Sequence, residues 1–158
     1  MGVYPLGMEC SILVIPHDMQ KSVMSKRIHQ GVERSNPFGD LVGLTFASIE
    51  KGYSQCMLEV DRKLLNPFGS LHGGATYTMA DTGMGAALLS CIDDDEQCST
   101  IEIKIVYFKS VKSGALTCDT KVIHKSNRFA TLESEVTQQE CLVAKALGTW
   151  SIYKKKKD

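Results

Sequence analysis

The sequence predicts an α+β domain in which one long helix packs against an antiparallel sheet. The helix is indicated by a long segment of apolar and small residues, 74–92, which ends at the acidic run 93–96. The sheet is indicated by a change to period two, because Ile101, Ile103 and Ile105 alternate with polar residues as in a half-buried strand. No helical pattern separates the later strands, and this argues against a parallel sheet.

Length and charge limit the possible classes of protein. With 158 residues, of which 43% are hydrophobic, the chain fits one domain with a core of its own. Eighteen basic residues balance eighteen acidic ones, so no excess charge would attract nucleic acid or an anionic membrane. No apolar stretch is long enough for a membrane span, and the early run 12–15 lacks the length and basic flank of a signal peptide. We therefore expect a soluble, cytoplasmic protein without a nucleic-acid or membrane partner.

The cysteines and the known catalytic motifs offer no sign of a cofactor. Six cysteines are scattered without a CxxC pair, and no His or Asp accompanies them at metal-ligand spacing. We interpret them as buried or idle thiols in a reducing cytosol and expect neither a metal nor another cofactor. The motifs GxSxG, HExxH, GxxxxGK[ST] and GxGxxG are absent, which argues against the commonest serine hydrolases, zinc proteases and nucleotide-binding proteins.

The remaining elements follow from the same patterns. Apolar spacing predicts an N-terminal helix over 18–34, and the segment 41–61 predicts two strands joined by a turn at Lys51-Gly52. Four further strands are expected near 99–109, 114–125, 128–138 and 141–153, with the spacing of an antiparallel meander. We divide the chain into an N-terminal extension and helix packed on the domain (1–40), the domain itself (41–153) and a solvated charged tail (154–158).

The tetrapeptide Asn-Pro-Phe-Gly occurs twice, at 36–39 and at 66–69. The flanking sequences differ within a few residues on either side. We therefore interpret the repeat as reused turn chemistry and not as a duplicated unit.

Asp81 is the one charged residue between His72 and Asp93. A carboxylate on such an apolar helix must be hydrogen-bonded, paired or placed in a cleft, because burying it uncompensated is costly. One interpretation is a functional carboxylate. The other is a structural Asp that nearby Thr78 or Thr82 satisfies.

Two glycines, Gly73 and Gly74, stand where a loop becomes this helix. The first backbone N–H groups of a helix lack intrahelical partners, and glycine lets a ligand oxygen approach them closely. A purely structural interpretation is equally open, in which His72 caps the helix and Asn66 forms an Asx-turn before Pro67.

The segments 66–74 and 79–82 together resemble the signature of hotdog-fold acyl-CoA thioesterases of the phenylacetate-degradation (PaaI-like) type. The resemblance extends over about 40–153. It implies an antiparallel sheet of five to six strands wrapped around the long helix. It also implies that two subunits build the active sites between them, with a dimer of dimers as the expected assembly.

The resemblance assigns roles to particular residues. Asn66 and the Gly73 N–H would polarise the thioester carbonyl, with His72 supporting their loop. Asp81 of the partner subunit would act as general base or nucleophile, and Thr100 would assist the water, with Ser99 as the neighbouring alternative. The expected substrate-binding residues, for the acyl group and for CoA, are Phe68, Gly74, Met84, Lys109, Lys125, Asn127 and Arg128.

Helix geometry independently favours two chains. Eight residues separate Gly73 from Asp81, which corresponds to about 12 Å along a helix axis. One carbonyl carbon does not easily reach both groups in the same subunit. Two such helices running antiparallel about a two-fold axis would bring the glycine end of one to the carboxylate of the other.

Three other functions fit parts of the sequence. A non-catalytic acyl-CoA sensor on the same fold would bind its ligand tightly without turnover. A hotdog dehydratase would hydrate an enoyl thioester without releasing a thiol, but its motif is absent. A purely structural homo-oligomer would leave the grouping of Asn66, the two glycines and Asp81 without a purpose.

Overall fold

A computed structural model describes residues 36–156, so the helix expected over 18–34 lies outside the described residues. The first elements are helix α1 (Pro37–Val42), strands β1 (Leu44–Glu50) and β2 (Tyr53–Glu59), and a 3-10 turn (Arg62–Leu64). The long helix α2 (Gly73–Leu89) follows, and then strands β3 (Glu96–Tyr107), β4 (Ala115–Lys125), β5 (Phe129–Gln138) and β6 (Cys141–Lys154).

The six strands form one antiparallel sheet in the order β1-β2-β4-β5-β6-β3. The predicted α+β class, with an antiparallel sheet and a long helix, is confirmed. The predicted meander holds for β4, β5 and β6, but β3 pairs with β6 at the sheet edge and not with β4. The connection from β3 to β4 instead crosses beside the start of α2, where the Leu71 N–H donates to the Val111 carbonyl over 2.7 Å.

Helix α2 packs closely against the sheet. Met79, Met84 and Leu88 have no exposed surface. Helix and sheet approach closely at Gly83, where an added Cβ would stand 2.7 Å from Thr120 Oγ1. Ser54 Oγ also donates to the Gly83 carbonyl over 2.8 Å. The small residues of α2 therefore serve packing within the subunit.

The two Asn-Pro-Phe-Gly segments fold differently. Asn36 caps α1, with its side chain accepting a hydrogen bond from the Gly39 N–H over 3.0 Å. Asn66 instead begins a turn in which Gly69 adopts a positive φ of 72°. In both segments the Asn side-chain oxygen accepts a hydrogen bond from a backbone N–H. This agrees with the interpretation that the same turn chemistry is used twice, in two segments of different structure.

Secondary-structure elements and a salt bridge lie at the predicted ends of the domain. Helix α1 crosses the predicted division between residues 40 and 41. Strand β3 begins at Glu96, three residues earlier than predicted, because Glu96 pairs with Lys154 at the end of β6. Lys154 Nζ also forms a salt bridge with Asp95 Oδ1 at 2.7 Å, so the lysine tail begins bound to the acidic run.

Between residues 36 and 156, neither helix has the length and apolar character needed to cross a bilayer.

Candidate active site

The carboxylate of Asp81 is held by strand β3. Asp81 is partly buried on α2, and Thr100 Oγ1 donates a hydrogen bond to its Oδ1 over 2.8 Å. The pairing of β3 with β6 is interrupted by a bulge between Thr100 and Glu102. Such bulges change the direction of side chains, and they are frequent beside active sites.

The structure brings Thr100, and not the neighbouring alternative Ser99, to this carboxylate. Ser99 Oγ instead lies 2.9 Å from Tyr153 Oη. Thr78, one of the two threonines expected to satisfy a structural Asp81, does not bond to it. Its Oγ1 donates instead to the Gly74 carbonyl over 2.8 Å.

The start of α2 is fixed by His72. His72 is the N-cap residue, and its Nδ1 accepts the Gly74 N–H over 2.9 Å. Its own N–H donates to the Leu64 carbonyl over 2.8 Å. The predicted cap is therefore present, and it leaves the Gly73 N–H at the helix end.

Asn66 organises the loop before the helix. Its Oδ1 accepts hydrogen bonds from the N–H groups of Phe68 at 2.9 Å and Ser70 at 3.2 Å. Because the oxygen has these two donors, the side-chain amide is oriented with Nδ2 away from the turn. The predicted Asx-turn is thus present as well, and it leaves the amide donor available.

Gly73 and Asn66 both line a pocket of about 320 Å³. Within residues 36–156, no hydrogen bond is donated by the Gly73 N–H or by Asn66 Nδ2. Thr76, Tyr107 and Lys109 also line this pocket. Two unpartnered donors therefore border one space that is large enough for part of a ligand.

The Asp81 carboxylate does not belong to that pocket. Helix α2 is continuous from Gly73 to Leu89, so about 12 Å of helix separates the glycine end from Asp81. In one subunit, the structure brings together Asn66 and Gly73, and separately Asp81 and Thr100.

The predicted substrate-binding residues fall in different places. Phe68 is 89% exposed on the Asn66 turn, whereas Met84 is completely buried in the core of the single chain. Gly74 lines a second space of about 270 Å³, between α1 and the start of α2. Lys109 lines the pocket beside Gly73.

The predicted basic turn that contains Lys125, Asn127 and Arg128 lies at the other end of α2. There the Lys125 charge partly offsets a rise in the pKa of Cys91 that burial causes. In one subunit, this turn is therefore not brought together with Lys109.

Two further residues border the site without having been predicted there. Tyr107 Oη donates to the Gly73 carbonyl over 3.0 Å. Burial, with smaller contributions from Cys91 and Asp81, raises the pKa of Cys98 to about 11, so Cys98 is a neutral thiol at neutral pH. Strand alternation places Tyr107 on the strand predicted near 99–109, whereas Cys98 precedes that strand. For neither residue could alternation show which part of α2 it approaches.

Comparison with known proteins identifies the family. The thioesterase superfamily model matches residues 68–145. The protein SSO1253 of Saccharolobus solfataricus, provisionally named an esterase, is 33% identical over 116 residues, which cover 73% of this chain and 77% of that protein. The chain therefore belongs to the thioesterase superfamily.

Two other similar proteins refine this assignment. The 1,4-dihydroxy-2-naphthoyl-CoA hydrolase of Listeria monocytogenes is 29% identical, and the match covers 75% of this chain and 97% of that protein. A single-residue mutant of the phenylacetic acid degradation protein PaaI from Thermus thermophilus has a TM-score of 0.69 and 26% identity, with 73% of this chain and 98% of that one covered. The resemblance to PaaI-like hotdog proteins is confirmed, and the chain is a thioester hydrolase.

Proposed function

We propose that this protein hydrolyses an acyl- or aryl-CoA thioester to the free acid and CoA, in a site built between two copies of the chain. The observation that carries the proposal is the division of polar groups along α2. Two donors without a partner among residues 36–156 border a pocket at its start, and a carboxylate bonded to Thr100 lies about 12 Å further on. The CoA hydrolase among the relatives supports the substrate class.

The donors at the helix start would polarise the thioester carbonyl. The Gly73 N–H and Asn66 Nδ2 would both donate to the carbonyl oxygen, whose negative charge grows as the carbonyl carbon is attacked. Such donors matter because they are in place before the reaction begins. Removing one of them from other enzymes typically lowers the rate by a factor of about 100 to 1,000.

Asp81 would supply the attacking group. As general base, it would take a proton from a water molecule that attacks the carbonyl carbon and expels the CoA thiolate. As nucleophile, it would attack the carbon itself, break the C–S bond with release of the CoA thiolate, and form an anhydride that water then hydrolyses to the free acid and the Asp81 carboxylate. Thr100 binds Oδ1, whereas Oδ2 has no hydrogen-bond donor within residues 36–156, so Oδ2 is the oxygen that would act.

The exposed edge of the sheet supports the pairing of two copies. Among residues 36–156, strand β3 is an edge strand of twelve residues, and its outer row of backbone groups is open to a second strand. Large apolar side chains are also exposed on this edge and just beyond it, namely Ile101, Val106, Tyr107 and Phe108. A second copy paired along β3 would cover these side chains.

The position of the two-fold axis follows from the helix. If Gly73 of one copy faces Asp81 of the other, the axis passes near Tyr77, which lies midway between them on α2. The end of α2 in one copy then extends about 12 Å beyond the start of α2 in the other. In that arrangement Lys109 and the turn at 125–128 could grip the phosphates of one CoA. The pairing of two such dimers and a cytoplasmic location remain predictions.

Replacement of Asp81 tests the proposed chemistry. In Asp81→Asn, the side-chain oxygen can still accept the Thr100 hydrogen bond, so we expect the fold and the dimer to persist. Hydrolysis should fall by a factor of about 100 or more, because the amide can serve neither as base nor as nucleophile. Thiol release from a panel of aryl- and alkanoyl-CoA esters measures the loss.

Asp94→Asn is the matched control, since Asp94 is an exposed member of the acidic run. It should retain wild-type turnover. Near-normal hydrolysis by Asp81→Asn would refute the role of Asp81. Tight CoA-ester binding by a wild-type protein that releases no thiol would instead favour the acyl-CoA sensor.

A further inference from the structure

Tyr107, the last residue of β3, contacts the start of α2. Its hydroxyl donates to the Gly73 carbonyl over 3.0 Å. Its ring lies against the same residue, because a Cβ added to Gly73 would stand 3.3 Å from Tyr107 Cζ. Tyr107 thus leaves little space for a side chain at position 73.

The peptide group between Gly73 and Gly74 is held at both sides. Its carbonyl accepts the Tyr107 hydroxyl, and its N–H donates to His72 Nδ1 over 2.9 Å. Since a peptide group is planar, two hydrogen bonds at opposite sides limit its rotation. Consecutive glycines have the widest choice of backbone angles, so this is where such a restraint has the greatest effect.

We propose that Tyr107 is a positioning residue for hydrolysis: by holding the Gly73-Gly74 peptide group it limits rotation at the Gly73 Cα, and so keeps the preceding peptide group, which carries the Gly73 N–H, directed toward the thioester carbonyl. This inference rests on the proposed function, in which the Gly73 N–H is a donor to the substrate. Tyr107 itself acts through Gly73 and not on the reacting atoms. Strand β3 thus contacts α2 at both functional positions, since Thr100 bonds to the Asp81 carboxylate and Tyr107 bonds to the Gly73 carbonyl.

The ionisation of Tyr107 agrees with this role. Partial burial, with a smaller contribution from Tyr77, raises the pKa of the Tyr107 phenol above its ordinary value. The hydroxyl therefore remains protonated at neutral pH and can donate to the Gly73 carbonyl.

Tyr107→Phe tests the inference, because it removes the hydroxyl and keeps the ring against Gly73. We expect kcat to fall by roughly 10-fold, less than for the loss of an oxyanion donor itself, with KM changed by less than about 2-fold. Tyr153→Phe is the matched control. Tyr153 is similarly exposed, at 45% against 48% for Tyr107, and its hydroxyl bonds with Ser99 Oγ away from Gly73.

A second measurement does not depend on activity. In protein labelled with ¹⁵N-glycine, the Gly73 and Gly74 amide signals should shift in Tyr107→Phe but not in Tyr153→Phe. Hydrogen exchange should accelerate at the Gly74 amide, which donates to His72 Nδ1. Size-exclusion chromatography should show the same assembly for both variants and the wild type.

The possible results separate the inference from the proposed function. Unchanged kcat and unchanged glycine amides in Tyr107→Phe would overturn the role of Tyr107, as would an equal loss in Tyr153→Phe. A change confined to KM would also overturn it. A wild-type protein inactive on all thioesters would refute the proposed function, and the amide signals would still show whether Tyr107 orders Gly73.

Discussion

Hydrogen bonding decides which atoms of the polar side chains at the site are available to a ligand. Asn66 uses its oxygen within the loop and leaves its amide nitrogen available. His72 uses Nδ1 as the helix cap. The observed structural roles of these two residues are therefore compatible with the proposed functional ones, because different atoms would serve each role.

The sequence predicted which residues belong to the candidate site more readily than it predicted which side chains those residues contact. Asp81 stood out by its isolated charge, and Asn66, His72 and Gly73 by their spacing. The choice between Thr100 and Ser99 depended on the β-bulge at Thr100, and no side-chain pattern reveals a bulge of one residue. The contact of Tyr107 with Gly73 depended on where β3 crosses α2, which is equally absent from local patterns.

Trp150 provides a prediction about a single residue. Its side chain is 6% exposed, and within residues 36–156 its Nε1 is the one buried side-chain polar atom without a hydrogen-bond partner. Trp150→Phe removes this unsatisfied donor and keeps an aromatic ring in the core. We expect it to lower the free energy of unfolding by less than half the loss in Trp150→Ala, which should be about 3–5 kcal/mol.

Urea unfolding followed by far-ultraviolet circular dichroism measures both variants. Equal losses in Trp150→Phe and Trp150→Ala would mean that the indole N–H makes a stabilising hydrogen bond. Because Trp150 is the single tryptophan of the chain, wild-type fluorescence reports on this site alone.

At the scale of secondary-structure elements, the sequence predicted the helix and the strands better than their arrangement. The predicted helix 74–92 and the observed helix Gly73–Leu89 agree closely, since the long apolar segment and the glycine start are strong local signals. Strand positions were also predictable from alternation. Strand order was not, because alternation shows which side chains are buried and not which strands are neighbours.

Gly83→Ala tests the close approach of α2 to the sheet. In an isolated helix this change would stabilise by about 1 kcal/mol. Here the new Cβ would stand 2.7 Å from Thr120 Oγ1, so we expect a net destabilisation of about 1–3 kcal/mol. Urea unfolding of the purified variant gives the sign and the size.

A double variant isolates the cause. In the background of Thr120→Ala, which lacks the clashing oxygen, Gly83→Ala should cost much less than in the wild-type chain. Equal costs in both backgrounds would show that Thr120 does not limit the approach.

For the whole molecule, the central claim is that each active site takes its donors from one copy and its carboxylate from another. The single chain separates these groups by about 12 Å of helix, and its β3 edge exposes apolar side chains that a second copy would cover. The family resemblance predicted this arrangement, and the spacing of Gly73 and Asp81 along a helix favoured it independently, whereas composition could not show it.

Complementation between two inactive variants tests this claim most directly. Asn66→Asp keeps Oδ1 as the acceptor for the turn but loses the amide donor, and Asp81→Asn loses the carboxylate. Each variant alone should be nearly inactive in thiol release. When the two are unfolded together and refolded, a mixed dimer would contain one site with both native residues and one site with neither.

With random pairing, about half of the dimers would be mixed, so the refolded mixture should recover about a quarter of wild-type activity. Each variant refolded separately provides the control. A mixture that forms mixed dimers, yet stays as inactive as either variant alone, would contradict the shared site.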